Sequence, residues 1–210
     1  SARRRASVAL NANGSVESVR AAVLNVAGVL SCYAIDNPTS SAATVGGVTL
    51  AANSIYVAVV GGNSADVAQA IWRKKSAGCS YNGNTSVTVT DTSAAGQPYP
   101  TYTVLYETPT DIPILFAVQI KSNPLLPTTI NTLIQNAIIN AFAGEDGGPS
   151  AQIGATMYAS RFYAAVSAVD PNCEVVSIQI GTTTANQNYL PFNIDQMPTI
   201  SASNIAISQV

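Results

Sequence analysis

The sequence predicts an α+β protein built as two small two-layer α/β sandwich domains, each with about two helices on a mixed or antiparallel sheet. Three observations carry this expectation. Apolar residues recur at helical spacing in four stretches, near residues 16–26, 67–72, 128–142 and 156–169. Short strand-forming runs bounded by turn residues lie beside them. The pattern also resets at Thr108-Pro109-Thr110-Asp111, which divides the chain into residues 1–108 and 109–210.

In the first domain Ser15 is placed to cap a helix, with Glu17 in the first turn near the positive end of the dipole. Val16, Val19, Val23 and Val26 form its stripe, and Gly28 supplies the stop. A strand is expected over residues 29–36, ended by the turn signal Asn37-Pro38, and a second over 55–60, ended by Gly61-Gly62-Asn63. Ser64 then caps a helix carrying Val67, Ala68, Ile71 and Trp72, with Arg73, Lys74 and Lys75 in its last turn and Gly78 closing it. Residues 85–91 and 102–107 read as two strands joined by the loop 94–100. Together they predict a β-hairpin arm near 85–107 rather than a helix-packed core.

In the second domain residues 112–121 read as a strand, with Pro113 confined to its start or to an edge. A helix over 128–142 presents Ile130, Leu133, Ile134, Ala137, Ile138 and Phe142 on one face. The stretch 144–149 is a flexible connector. A second helix over 156–169 is expected to bury Tyr158, Phe162, Ala165 and Val169, followed by strands over 173–181 and 204–210. The first half runs helix–strand then strand–helix and the second strand–helix then helix–strand, a likeness of pattern rather than identity.

Composition narrows the function. The 210 residues are 47% hydrophobic but only 10% charged, with nine basic and eleven acidic residues, a net charge of -2 and no histidine. A typical domain is about 25% charged. High apolar content argues against disorder, and the slightly acidic balance argues against a nucleic-acid partner, whose affinity comes from neutralising phosphates. Without histidine the commonest general base is missing. Cys32, Cys79 and Cys173 are odd in number and never in CxxC spacing, so free thiols in a reducing compartment are expected. Asn13-Gly14-Ser15 and Asn84-Thr85-Ser86 match the glycosylation pattern, but nothing else marks secretion. No signal peptide is recognisable, and the uncharged stretch 122–144 holds too many Pro, Asn and Gln residues for membrane insertion. The chain does not begin with methionine, so an excised fragment is expected.

No catalytic, cofactor-binding or metal residue is assigned. Glu145-Asp146 is the one adjacent carboxylate pair, read as solvated loop charge because no third carboxylate stands at ligand spacing. Gly46-Gly47, Gly61-Gly62 and Gly147-Gly148 lack the context of a phosphate cradle and are turns. Arg73-Lys74-Lys75 could meet a phosphate or an acidic partner, but complementing a helix dipole needs nothing further. Arg3-Arg4-Arg5 reads as the tail of a preceding helix or as an arm docking on a neighbouring subunit. Trp72, Tyr99, Tyr102 and Tyr106 are either interface anchors or local core.

Several stretches carry a resemblance to a known family. Arg3-Arg4-Arg5-Ala6-Ser7, Gly14-Ser15-Val16-Glu17-Ser18-Val19-Arg20-Ala21-Ala22, Val26-Ala27-Gly28-Val29 and Asn37-Pro38-Thr39 open it. Ile55-Tyr56-Val57-Ala58-Val59-Val60-Gly61-Gly62 follows, then Asp66-Val67-Ala68-Gln69-Ala70-Ile71-Trp72-Arg73-Lys74-Lys75-Ser76-Ala77-Gly78-Cys79 and Tyr81-Asn82-Gly83-Asn84-Thr85. Ala141-Phe142-Ala143-Gly144, Ile153-Gly154 and Tyr158-Ala159-Ser160 extend it into the second half. Together they resemble the central and C-terminal regions of the baseplate protein J family of contractile-tailed phages, whose parts also recur in R-type bacteriocins. The family's N-terminal region is not recognisable.

The resemblance implies a non-enzymatic, cofactor-free subunit of the baseplate wedge. Such a protein links neighbouring wedges into a ring around the hub and rearranges on sheath contraction. Its partners would be other wedge and hub proteins and copies of itself. It would reside in the virion tail after assembly in the host bacterial cytoplasm. Residues 108–111 are then the expected hinge and the loop 94–100 the first expected intersubunit contact. The alternatives are a tail or surface binding module, such as an adhesin or receptor-binding protein, and a small enzyme using the Glu145-Asp146 loop.

Overall fold

The computed structural model describes residues 14–210. Arg3-Arg4-Arg5, Asn13 and the opening of the baseplate resemblance lie outside the described residues. The protein is of the mixed α+β class. Its chain forms two compact units, Ser1–Thr110 with Asn193–Asp195, and Asp111–Phe192 with Gln196–Val210.

In the first unit α1 (Val16–Leu24) is capped as the Ser15 motif predicts: the Ser15 hydroxyl accepts from the Ser18 N–H at 3.1 Å. The helix stops at Asn25, before Val26, and Gly28 at φ +82° turns the chain into β1 (Val29–Asn37). A Ser/Thr-rich stretch with no assigned strand holds a small hairpin, β2 (Ala43–Val45) and β3 (Val48–Leu50), turned by Gly46-Gly47 at φ +53° and +84°. Both central residues at positive φ make the turn that matches strand twist. Then come β4 (Ser54–Gly61), α2 (Ser64–Lys74) and β5 (Ser80–Asn82), the last parallel to β4. The cap of α2 is Asn63 rather than Ser64: its side-chain oxygen accepts from the Ala65 N–H at 2.9 Å. The sheet runs β1–β4–β5, with β1 antiparallel to β4.

The hairpin of β6 (Thr85–Thr90) and β7 (Thr101–Tyr106) exists, but it is not a free arm. Val89, Val104 and Tyr106 belong to the core with Val67, Ala68 and Ile71 of α2. The alternation of the Thr/Val run explains this: every second residue faces the helix, and only the tip stands clear. The core beneath also takes Val19, Val23, Ile55, Val57 and Val59.

In the second unit the expected strand over 112–121 is two strands, β8 (Thr110–Pro113) and β9 (Leu115–Ile120). Pro113 has no N–H for a ladder, and β8 pairs with a different strand. α3 (Ile130–Ala143) ends on Gly144 at φ +79°. It buries Ile130, Ile134, Ile138 and Ala141, whereas Leu133, expected on that face, is 38% exposed.

The helix expected over 156–169 is largely absent. β10 (Met157–Tyr158), a 3-10 turn (Ala159–Phe162) and the five-residue α4 (Tyr163–Ser167) take its place. Met157 and Tyr158 pair with Leu190 and Tyr189, and the Ala159 N–H donates to the Asn188 carbonyl, so strand bonds displace the helical ones.

The chain continues through β11 (Val175–Gly181), β12 (Tyr189–Leu190), β13 (Gln196–Thr199) and β14 (Ile205–Gln209). The main sheet is β11–β9–β14, antiparallel then parallel, with β13 paired to β8. Phe116, Val118 and Ile120 of β9 pack with the buried residues of α3, and Phe116 meets Phe162 edge-to-face at 4.8 Å.

Candidate functional site

The second unit holds a cavity of about 250 Å³. The last turn of α3 contributes Phe142, the following loop Pro149, β10 Met157 and Tyr158, and the 3-10 turn Arg161 and Phe162. Its wall is mainly apolar. A cavity of about 150 Å³ already accepts benzene, so the space here suits an aromatic or large aliphatic group. Tyr158, which lines the cavity, is 55% exposed, and its ring lies 6.1 Å from that of Tyr189, which is 57% exposed.

Arg161 joins the cavity to the 144–149 loop. Its guanidinium brackets the Asp146 carboxylate, with Nη1 donating to Oδ2 at 2.7 Å and Nη2 to Oδ1, while Nη2 also donates to the Ala141 carbonyl at 3.2 Å. The fork matches a carboxylate bidentately, and the cation meets the negative end of α3. Asp146 is therefore not a free loop charge: the hydrogen bonds from Arg161 hold its carboxyl down to about 2. Asp146 also accepts from the Gly148 N–H at 3.0 Å, tightening the loop expected to be flexible. The Arg161 Nε is buried without a partner.

The residues singled out in the first unit are not among those that line this cavity. Arg73 and Lys74 close α2, and the Lys75 Nζ lies 4.6 Å over the Tyr81 ring. Trp72 and Tyr102 pack on each other at 5.4 Å, Tyr106 is buried, and Tyr99 is half-buried near the hairpin tip. Most of residues 92–100 are exposed. The expected hinge is tied down at two points. Thr108 donates its N–H to the Asn84 side chain at 2.9 Å, and Thr110 donates to the Asp195 carbonyl at 2.8 Å.

A second polar cluster, in the first unit, has no sequence signal because its members are distant in the chain. Tyr56, fully buried, donates its hydroxyl to the Ile194 carbonyl at 3.0 Å. Burial and the nearby Asp195 carboxylate push the Glu107 carboxyl up, while a hydrogen bond from the Asn84 region pulls the other way. One oxygen of Asp195 is buried without a partner.

Among the described residues no three Cys, Asp or Glu side chains come together as a metal cluster. The cysteines are free, with Cys32 and Cys173 buried; burial pushes the Cys32 thiol up to about 12, against the pull of Arg20. No described helix is long and apolar enough to cross a membrane. The chain matches no known family model and no curated protein.

Proposed function

We propose that this chain is a structural component of a contractile tail baseplate wedge, working through protein surfaces rather than catalysis. The observation that carries the reading is the string from Ile55 to Thr85, which resembles the baseplate protein J family. In the fold that string forms the continuous β4–α2–β5 unit and the approach to the hairpin. In this reading the protein links neighbouring wedges around the hub of a phage or bacteriocin tail, associates with itself in a ring, and rearranges on sheath contraction. The low charge fits permanent contacts, since Ser, Thr, Asn and Gln are buried against a partner at lower desolvation cost than charged groups.

The hairpin tip is the proposed intersubunit contact. It is exposed, and the ladder beneath it is closed by the pair Thr90–Thr101. Deleting residues 92–100 with a short Gly-containing turn in their place should leave the fold's circular dichroism intact and abolish ring assembly with wedge partners. Rings of normal size from the deleted protein would sink the assignment of the tip.

One observation favours a second reading, a receptor-binding or adhesive module. Tyr158 and Tyr189 form an exposed aromatic pair beside an apolar cavity, an arrangement suited to stacking on a sugar ring. Binding on a glycan array that is lost in Tyr158→Ala would favour this reading over the wedge.

A further inference from the structure

Among the described residues β1 pairs with a strand on one side only, at the end of the order β1–β4–β5. Which of its groups face outward follows from β4. The Val57 carbonyl accepts from the Glu107 N–H at 2.8 Å, and the Val59 N–H donates to the Glu107 carbonyl at 2.9 Å. Both residues thus turn their peptide groups away from β1. Their cross-strand partners are Ala34 and Cys32. These two sit in the non-hydrogen-bonded pairs of an antiparallel ladder, and their own N–H and C=O groups point to the free edge. Arg20 bears this out: its Nε reaches from α1 to donate to the Cys32 carbonyl at 3.2 Å.

Apart from the Arg20 contact, the register shift between Val29 and Ser31 and Asp36 near its end, this edge has few of the features that keep natural edges apart. Residues 29–35, Val-Leu-Ser-Cys-Tyr-Ala-Ile, contain no charge and no proline. The strand is nine residues long, against five for the edge strand β14. Leu30 upon it is 74% exposed. An uncharged segment rich in strand formers on an open edge is a template for another strand.

We propose that β1 is a self-association edge, to which a second copy of this chain adds its own β1 antiparallel about a two-fold axis at Tyr33. Such a pairing closes on itself, since one patch meets the same patch. In this register Cys32 meets Ala34 of the second copy in a hydrogen-bonded pair, and the Ala34 N–H replaces Arg20 on the Cys32 carbonyl. The two Tyr33 side chains oppose each other across a close, non-hydrogen-bonded pair.

Charge also selects a copy of this chain. The uncharged centre of the strand meets its own image without repulsion. Arg20 stands at Cys32, the exposed Asp36 at the far end, and antiparallel pairing brings the Arg20 of one copy toward the Asp36 of the other. Neither forms an ion pair among the described residues, although Asp36 shares a small cleft with Lys75. The inference goes beyond the baseplate reading and does not depend on it, because it needs this chain alone.

Sedimentation of the whole chain tests it. The wild type is expected to show a concentration-dependent dimer. Tyr33→Lys, which sets like charges face to face, is expected to weaken it by about tenfold or more. Leu125→Lys, at a 71% exposed site in the second unit, is expected to leave it unchanged. In a Cys79→Ser background, Tyr33→Cys should form a covalent dimer on mild oxidation, because non-hydrogen-bonded partners bring their Cα atoms close. Ile35→Cys, which faces Ser31 of the second copy, should not. A monomeric wild type overturns the proposal, as does a Tyr33→Lys protein that dimerises undiminished. Equal cross-linking at positions 33 and 35 overturns the register and with it the two-fold axis at Tyr33.

Discussion

Glu107 illustrates how a single side chain can work against the fold that holds it. Its carboxyl is pushed up by burial and by Asp195, so the folded state favours the protonated form. For an acid raised in this way, its contribution to stability is greatest below the ordinary carboxylate range and falls as pH rises through the folded value. Glu107→Gln should therefore stabilise the protein at about pH 7, and the gain should vanish below about pH 4. The amide keeps an oxygen for the Asn84 side chain, which now donates to Glu107 at 2.7 Å. Because Glu107 is half-buried and screened by solvent, the gain should be less than about 1 kcal/mol. Denaturant melts of both proteins across pH would read it. Asp146 has the opposite sign: the pairing with Arg161 that lowers it supports the fold above the ordinary carboxylate range and is lost as pH falls toward 2.

Elements were legible where a cap or a stop had its own chemistry. Ser15 starts α1, Gly144 ends α3, and the Gly61-Gly62-Asn63 turn separates β4 from α2, all from local residues. Failures came where distant residues decided the outcome. Nothing in Met157-Tyr158 announces that residues 188–190 will pair with them and pull the segment out of a helix. Nor does a Thr/Val alternation say whether its apolar face meets a helix or a partner protein, so the sequence alone suggests a free arm where α2 covers the hairpin. The cavity was likewise invisible, since Arg161 and Asp146 carry no motif; only the salt bridge connects them.

α3 allows a sharp test at this scale. Ile134, fully buried, sits beside Leu133, which the helical stripe predicted to be inside. Ile134→Ala should cost about 2 to 5 kcal/mol by leaving a cavity, whereas Leu133→Ala should change stability by well under that. Equal losses in denaturant unfolding would place the buried face of the helix elsewhere.

At the scale of the whole chain, the two units do not divide at one cut. Residues 193–195 return to the first unit from within the second half, where the Ile194 N–H donates to the Gly46 carbonyl at 3.1 Å and its carbonyl accepts from Tyr56. The sequence pattern showed the reset near Thr108 but could not show this return, because residues 182–199 carry no strong periodicity. A fragment of residues 1–110 lacks the acceptor for the buried Tyr56 hydroxyl, an omission that costs about 1 to 3 kcal/mol for a buried polar group. It should melt earlier than the same unit in the intact chain, as followed by near-ultraviolet circular dichroism. An unchanged melt would show that the three residues contribute nothing.

That return has a consequence for inheritance. A unit encoded by one uninterrupted stretch can be duplicated, exchanged or lost by a single recombination event. Here a crossover at the boundary after Thr110 would carry away a piece of the first unit together with the second. The two halves are thus expected to travel between genomes as a pair, whatever their separate ancestry.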